Sequence, residues 1–397
     1  MTPPSYPFPT EFPLDPPPRL AELRRTEPIS LVEFAGAPAW LLTRYDDVRA
    51  ALNEPGLLGY FPGMTEGTEA EASAAEQGSF LMMMNGPPHT RLRRFVSGAL
   101  GARRVAALRP SAERTAHRLV AGLRGSGAPI ELIHDLAAPL AIDTLGALIS
   151  VDVTAHADFA RWSTDVTALF GEADQETVQQ SGMELFGFIA ALVDAERDGA
   201  GLIGDLFRAT DADGGGLSDA EVTGLIGQLL LNGYVPTAMV FGLSALRVLT
   251  TPCLATELRA DPGLLPGAVD ELLRLDPAAA GNADRPFRAR TDVEIGGTRI
   301  RRGEVVIAPL GAANRDPAYF TDPDRLDPAR RPNPHLSFSP GVHHCLGAAL
   351  ARMQLEVGLA ALIDGGPLEV VGEPRWHTGL IGETQLSALP VRVPAHA

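Results

Sequence analysis

Apolar positions recur along this chain with two periods, and the change from one to the other lays out its elements. Through residues 105–210 they fall three and four apart, the spacing of a series of amphipathic helices. Leu346, Leu350, Met353, Val357 and Ala361 keep the same spacing and predict a helix directly behind a Gly/Pro-shaped loop. Ser218-Asp219-Ala220-Glu221 has the form of a capping box. It opens a helix expected from Asp219 to Thr250, about 48 Å long at 1.5 Å per residue. Residues 46–52 predict a short helix. A period of two marks residues 30–34 and 39–42, with Gly36 and Pro38 between them, and predicts a hairpin. The runs 293–295, 298–300 and 305–307, separated by Gly turns, predict short strands. Three stretches carry no period: the Pro-rich residues 1–18, the Gly/Ala/Glu/Ser-rich residues 58–80, and the Pro/Arg-rich residues 322–335. The pattern predicts a mainly α protein with a small β region, organised as an extended arm (1–18) and a single domain (19–397).

Composition narrows the class. The chain has 397 residues, of which 45% are hydrophobic, enough for a large core. A net charge of −16 argues against nucleic acid and anionic membrane surfaces as partners. No 18-residue apolar run is expected to span a bilayer. Residues 1–18 lack the basic-then-apolar order of a secretion signal, so a soluble cytoplasmic protein is expected. Asp211-Ala212-Asp213-Gly214-Gly215-Gly216 imitates a calcium loop. Gly215 occupies a ligand position, however, and Val222 stands where the bidentate Glu belongs, so the stretch reads as a turn before a helix.

The candidate chemistry centres on one of the two cysteines. Cys253 follows Thr251-Pro252 at a helix end and reads as structural. Cys345 lies in Phe338-Ser339-Pro340-Gly341-Val342-His343-His344-Cys345-Leu346-Gly347, at the start of the predicted helix. Backbone N–H groups and the helix dipole favour a thiolate there. Gly341 and Gly347 allow close approach to the backbone. A single thiolate without a second cysteine nearby is a poor zinc site and a good haem axial ligand; a buried structural thiol is the competing reading.

The pattern Phe338-x-x-Gly341-x-His343-x-Cys345-x-Gly347 resembles the haem-binding loop of the cytochrome P450 family. Glu271-Leu272-Leu273-Arg274, Asn314-Arg315-Asp316-Pro317 and His89-Thr90-Arg91-Leu92-Arg93 resemble further family motifs, in the right order. The resemblance implies the cytochrome P450 fold enclosing haem b, with Cys345 as iron ligand and Gly347 beside it. It assigns His89 and Arg93, which share a helix face, to the haem propionates, together with His335 and His343. His344 is the variable residue and reads as a surface histidine. Glu271 and Arg274 are implied to be a buried structural pair. The propionate-binding Arg of the family falls on Phe287; Arg285, on the same strand face, is expected to substitute, with Arg288 on the other face. Residues 58–80 are implied to cover the haem. Residues 159–193 would roof the pocket, with Trp162, Phe170, Met183, Phe186 and Phe188 as candidates, and Gly379-Leu380-Ile381-Gly382 would turn at its rim.

One segment departs from the family. Where a small residue, Gly, any residue, an acid and Thr are expected, the chain has Asn232-Gly233-Tyr234-Val235-Pro236-Thr237. Asn232, Tyr234, Val235, Pro236 and Thr237 are candidate pocket residues. Pro236 has no N–H and crowds the carbonyl of Asn232, so a kink is expected there. The usual acid and alcohol, which relay protons, are both missing. Three routes remain: delivery by water, Tyr234 or Asn232; a substrate N–H or O–H; or peroxide in place of oxygen and electrons. The last ranks lowest, because peroxide-using relatives carry an Arg beside the Pro. The resemblance implies a haem-thiolate monooxygenase or oxidase of secondary metabolism. An aromatic or heterocyclic natural product is the expected substrate, hydroxylated or radically coupled. The chain shows no flavin or nicotinamide fingerprint, so electrons are expected from a ferredoxin and its reductase. Arg91, Arg94, Arg103 and Arg104 form the basic patch expected to receive the ferredoxin; a solvated helix is the competing reading. A non-catalytic haem-binding or sensing module is the alternative from another class.

Overall fold

The structure is a computed structural model, and it describes residues 3–10, 13–59, 81, 84–125, 130–151, 157–167, 175–211, 214–276, 284–378 and 384–394. Residues 60–80 of the loop expected to cover the haem, Phe170, and the stretch 379–382 expected to turn at the pocket rim lie outside the described residues. Helices named in chain order are α1 (Pro18–Thr26), α2 (Tyr45–Asn53), α3 (Gly86–Ala99), α4 (Ala102–Gly125), α5 (Ala138–Ile149), α6 (Ala157–Thr167) and α7 (Gln175–Ala195). They continue with α8 (Leu202–Arg208), α9 (Asp219–Thr250), α10 (Leu254–Ala260), α11 (Leu265–Leu275), α12 (Leu310–Ala313) and α13 (Ala348–Asp364).

The strands are β1 (Ser5–Tyr6), β2 (Ile29–Phe34), β3 (Ala37–Leu42), β4 (Leu57–Gly59), β5 (Ile130–Glu131), β6 (Asp284–Ala289), β7 (Val293–Ile295), β8 (Thr298–Ile300) and β9 (Val305–Pro309). β10 (Glu369–Val370), β11 (Arg375–Thr378), β12 (Thr384–Ala388) and β13 (Pro390–Arg392) complete the set. Six of them form a sheet in the order β1-β2-β3-β9-β6-β4. The predicted hairpin pairs Ile29 with Leu42 and Phe34 with Ala37. The Pro-rich arm is not detached: Ser5–Tyr6 pairs parallel to Glu33–Phe34, and Tyr6 is buried. Period-two residues Val32 and Phe34 turn into one core while their neighbours face out, as a half-buried sheet requires.

The central element is α9. Glu221 N–H donates to Ser218 Oγ (3.2 Å) and Ser218 N–H donates to Glu221 Oε2 (2.8 Å), which closes the capping box and fixes where the helix starts. α9 is long and apolar enough to cross a bilayer, with a mean hydropathy of 1.5 over its most apolar window, which corrects the expectation that no such segment exists. Most of that window, 61%, is buried inside the protein, because α5, α7, α11 and α13 pack around it. Its apolar character is that of a core helix. The helix continues through Pro236, so the expected kink does not interrupt it. Gly233 has a packing reason: a Cβ there would lie 2.7 Å from Leu145 Cδ2 on α5.

Below the site, Glu271 and Arg274 on α11 are fully buried. Arg274 Nε and Nη2 donate to the two oxygens of Glu271 at 2.7 and 2.8 Å. Arg274 Nη1 also reaches the carbonyl of Asn314 (2.8 Å). Asn314 in turn donates to Arg274 O (3.1 Å) and Ser337 Oγ (3.0 Å) and accepts from Leu336 N–H (2.7 Å). The Asn314 motif therefore ties the buried ion pair to the chain entering the Cys345 loop. Asp316, two residues on, accepts from Tyr45 N–H (2.9 Å) and so anchors the start of α2.

Candidate active site

A cavity of about 300 Å³ lies between α9 and the Cys345 loop. Two backbone bonds shape the loop. Cys345 N–H donates to Phe338 O (2.7 Å), and Ala348 N–H donates to Cys345 O (3.3 Å) as α13 begins. Gly341 has φ +73°, and a Cβ there would overlap Asn53 Oδ1, so only glycine suits the turn. Cys345 is exposed and lines the cavity. Gly347 also lines it; a Cβ there would meet nothing but Cys345 Sγ, at 4.0 Å. Space for a flat group is therefore kept open beside the sulfur.

His89, Arg93 and His343 converge on the same cavity. His89 is buried, yet its Nε2 has no hydrogen-bond partner among the described residues. Burial and the neighbouring Arg93 hold it below the usual imidazole range, so it is neutral near pH 7. Its ring lies 4.4 Å from that of His343, whose Nε2 is 2.7 Å from Asn85 Oδ1. Arg93 donates to His344 O. Burial lowers its pKa, and attraction to Cys345 partly restores it. His344 is exposed.

The donor set fits haem b: one accessible sulfur, an orphaned buried imidazole nitrogen, a guanidinium, and apolar walls from Leu81, Val96, Leu100 and Leu145. Among the described residues no group of three or more His, Cys, Asp or Glu could hold a metal ion by itself. An iron that arrives inside a macrocycle needs only the one protein thiolate.

Other expected site residues fall elsewhere. His335 is turned away from the cavity. Its Nδ1 accepts from Ser337 N–H (3.3 Å), and its Nε2 faces Asp270 Oδ1 at 3.5 Å. Burial pushes Asp270 up, but the bonds from His335 and Arg352 outweigh it and bring its pKa down to about 2. Phe287 is buried in β6, opposite Val306 and Gly59, within a core cluster. The side chain of Arg285, the expected replacement, lies outside the described set. Arg288 follows on the opposite strand face.

On α9, Asn232, Gly233, Pro236 and Thr237 line the cavity, and Tyr234 and Val235 do not. At 100° per residue they lie on another face. The Tyr234 ring packs 5.9 Å from Phe159, and Val235 packs against the main core. Gln228 and Val240 complete the row of Asn232 and Pro236 at four-residue spacing, and Leu225 and Leu229 complete that of Gly233 and Thr237. None of these four was among the candidates from sequence, although extending the i, i+4 rows from Pro236 and from Thr237 finds them. Of the roof candidates, Met183 and Phe186 are exposed, while Trp162 and Phe188 pack on the core.

The basic patch is smaller than expected. Arg91 pairs with Glu221 (2.5 Å) and Asp211 (3.4 Å), and Arg104 pairs with Asp205. Arg94 and Arg103 remain exposed. The Asp211 carboxylate is thus held by Arg91 and by Gly215 N–H (2.8 Å), which also accounts for the turn that imitated a calcium loop.

A thiolate-bearing loop under a long apolar helix, braced by a buried Glu–Arg pair, defines a haem-thiolate enzyme. The chain belongs to the cytochrome P450 family, whose model, described as Cytochrome P450, matches residues 175–365. It is similar to the mycinamicin IV hydroxylase/epoxidase of Micromonospora griseorubida, with 38% identity over 96% of each chain. It is similar also to the 6-deoxyerythronolide B hydroxylase of Saccharopolyspora erythraea, with 35% identity over 94% of this chain and 95% of that one. Among solved structures it superposes on the mixed-function P450 MycG with a TM-score of 0.85 at 35% identity, covering 98% of this chain and 100% of that one. CYP105P1 in complex with filipin I gives 0.88 at 30% identity, with both chains fully covered. The protein is a haem b monooxygenase of bacterial secondary-metabolite type.

Proposed function

We propose that this enzyme hydroxylates or epoxidises a large, mainly aliphatic natural product of macrolide type. It would act as a soluble cytoplasmic protein, with molecular oxygen and electrons from a separate ferredoxin and its reductase. One observation carries the reading. The cavity is lined largely by aliphatic side chains, among them Leu81, Val96, Leu145, Leu225, Leu229 and Val240. Such a wall suits an alicyclic ring better than an aromatic one, which favours stacking partners. The names of the relatives, a mycinamicin IV hydroxylase/epoxidase and a 6-deoxyerythronolide B hydroxylase, support it.

When bound, haem ligated by Cys345 supplies the oxidising chemistry. The chain's own residues do the rest. His89, Arg93 and His343 would hold the propionates. The leucine wall would exclude water and hold the substrate against the group that Cys345 would bind. Oxidative coupling of an aromatic substrate is the second reading, favoured by the missing acid at Val235 and the missing hydroxyl at Pro236.

Product mass separates the two. Holoenzyme with NADPH, a surrogate ferredoxin and reductase, and mycinamicin IV or 6-deoxyerythronolide B as probes should give products heavier by one oxygen atom drawn from labelled O2. Loss of two hydrogens without oxygen gain would favour coupling. A substrate-independent, reductase-independent baseline with every macrolide and aromatic probe would favour the non-catalytic module.

A further inference from the structure

The wall formed by α9 is aliphatic at Leu225, Leu229 and Val240, polar at Gln228, and between them it presents a further set of hydrogen-bonding groups to the cavity. Pro236 lies inside the helix and has no N–H, so the carbonyl of Asn232 loses the donor that every other residue four positions on would supply. Asn232 and Pro236 both line the cavity, which puts that carbonyl on the cavity face. The carboxamide of Asn232 is exposed and makes no hydrogen bond among the described residues.

Several helical threonines satisfy their hydroxyl within the helix. Thr26, Thr90, Thr144 and Thr250 each donate their hydroxyl to the carbonyl four residues back. Thr237 makes no such bond, and its side chain lines the cavity. An acceptor, an amide donor–acceptor and a hydroxyl are thus set together in an apolar surface. They face the cavity, where a bound molecule can reach them.

We propose that these three groups form a clamp for a hydroxyl group carried by the substrate. The substrate O–H donates to the freed carbonyl of Asn232, and its oxygen accepts from the Asn232 amide or the Thr237 hydroxyl. The substrate class is therefore an aliphatic ring bearing a free alcohol near the oxidised carbon. This inference rests on the proposed aliphatic-substrate reading and sharpens it.

The test uses two ring probes of equal size, cyclododecanol and cyclododecanone. Their dissociation constants on the haem-loaded protein are measured by equilibrium dialysis and by optical titration. The native protein should prefer the alcohol about five- to tenfold, the value of one satisfied hydrogen bond. Pro236→Ala restores an N–H for the Asn232 carbonyl and should bring the two probes to near parity. Alanine suits a helix interior, so this variant should fold. Asn232→Leu and Thr237→Val keep the carbonyl free; they should weaken both probes while retaining the preference for the alcohol. A preference that survives Pro236→Ala, or affinities unmoved by both Asn232→Leu and Thr237→Val, would overturn the clamp. Equal binding of the two probes to native protein would also overturn it and leave the aliphatic pocket standing. Binding of neither ring would sink both readings.

Discussion

Glu271→Gln removes one charge and changes almost no volume, yet it should be among the most damaging single substitutions in this protein. Every contact to the Glu271 carboxylate is a donor. Oε1 accepts from Arg274 Nη2 (2.8 Å), Asp327 N–H (3.0 Å) and Arg330 Nε (2.9 Å). Oε2 accepts from Arg274 Nε (2.7 Å), Arg330 Nε (3.1 Å) and Asn333 Nδ2 (3.1 Å). A glutamine must aim its NH2 at one of these two sets, donor against donor, whichever way it flips. It also leaves Arg274 buried without a counter-charge. Burial pushes the Glu271 carboxyl up, but Arg274 and Arg330 more than reverse this, so the charge is present at neutral pH. Breaking one partner of a buried pair costs about 3–5 kcal/mol. Urea unfolding at pH 7, followed by tryptophan fluorescence, reads that loss. Haem content per chain should fall as well, because Asn314 couples the pair to the segment entering the Cys345 loop. The double variant Glu271→Gln/Arg274→Met should be less damaged than the sum of the singles by about 2 kcal/mol, since removing Arg274 relieves the orphaned charge. A loss below about 1 kcal/mol for Glu271→Gln, or strict additivity in the cycle, would refute the reasoning.

Cys345→Ser should abolish the strongly red-shifted Soret band of the reduced, carbon-monoxide-bound protein, and oxygen insertion with it; a mutant that keeps the shifted band would mean another ligand. Gly341→Ala should cost about 1–3 kcal/mol through a left-handed backbone position, and more where the Cβ meets Asn53, read as a lowered melting temperature and poorer haem loading. Asp270 has a depressed pKa of about 2, so its contribution is fully present above its unfolded pKa and disappears as pH falls through the folded value. Asp270→Asn should therefore lose about 1–2 kcal/mol at pH 6, a figure reduced because the side chain is one-third exposed. The gap between the two proteins should close between about pH 4 and pH 2. A gap of constant size over that range would show that the carboxylate contributes nothing through its charge.

What the chain discloses in its order of residues, and what it withholds, follows from the reach of each cause. The Cys345 loop is legible because its constraints are local: a positive φ at Gly341, a hydrogen bond from Cys345 to Phe338 seven residues back, and a helix starting at once behind. The capping box at Ser218 and the hairpin at Ile29–Leu42 are legible for the same reason. The pairing of His335 with Asp270 spans 65 residues of sequence, and that of Arg91 with Glu221 spans 130. Nothing near either residue announces its partner, so His335 reads as a propionate ligand and Arg91 as a docking charge until the fold pairs each with a carboxylate. α9 shows both sides. Its missing acid and hydroxyl are plain at Val235 and Pro236, but a list of neighbours in sequence is not a list of neighbours in space. Turning the helix 100° per residue removes Tyr234 and Val235 from the cavity, keeps Thr237 beside Pro236, and brings in Leu225, Gln228, Leu229 and Val240. The substitution that seems only to delete a proton donor at Pro236 therefore also uncovers an acceptor at Asn232. That gain is visible only once the carbonyl is placed on the cavity face, and it is the ground of the proposed hydroxyl clamp.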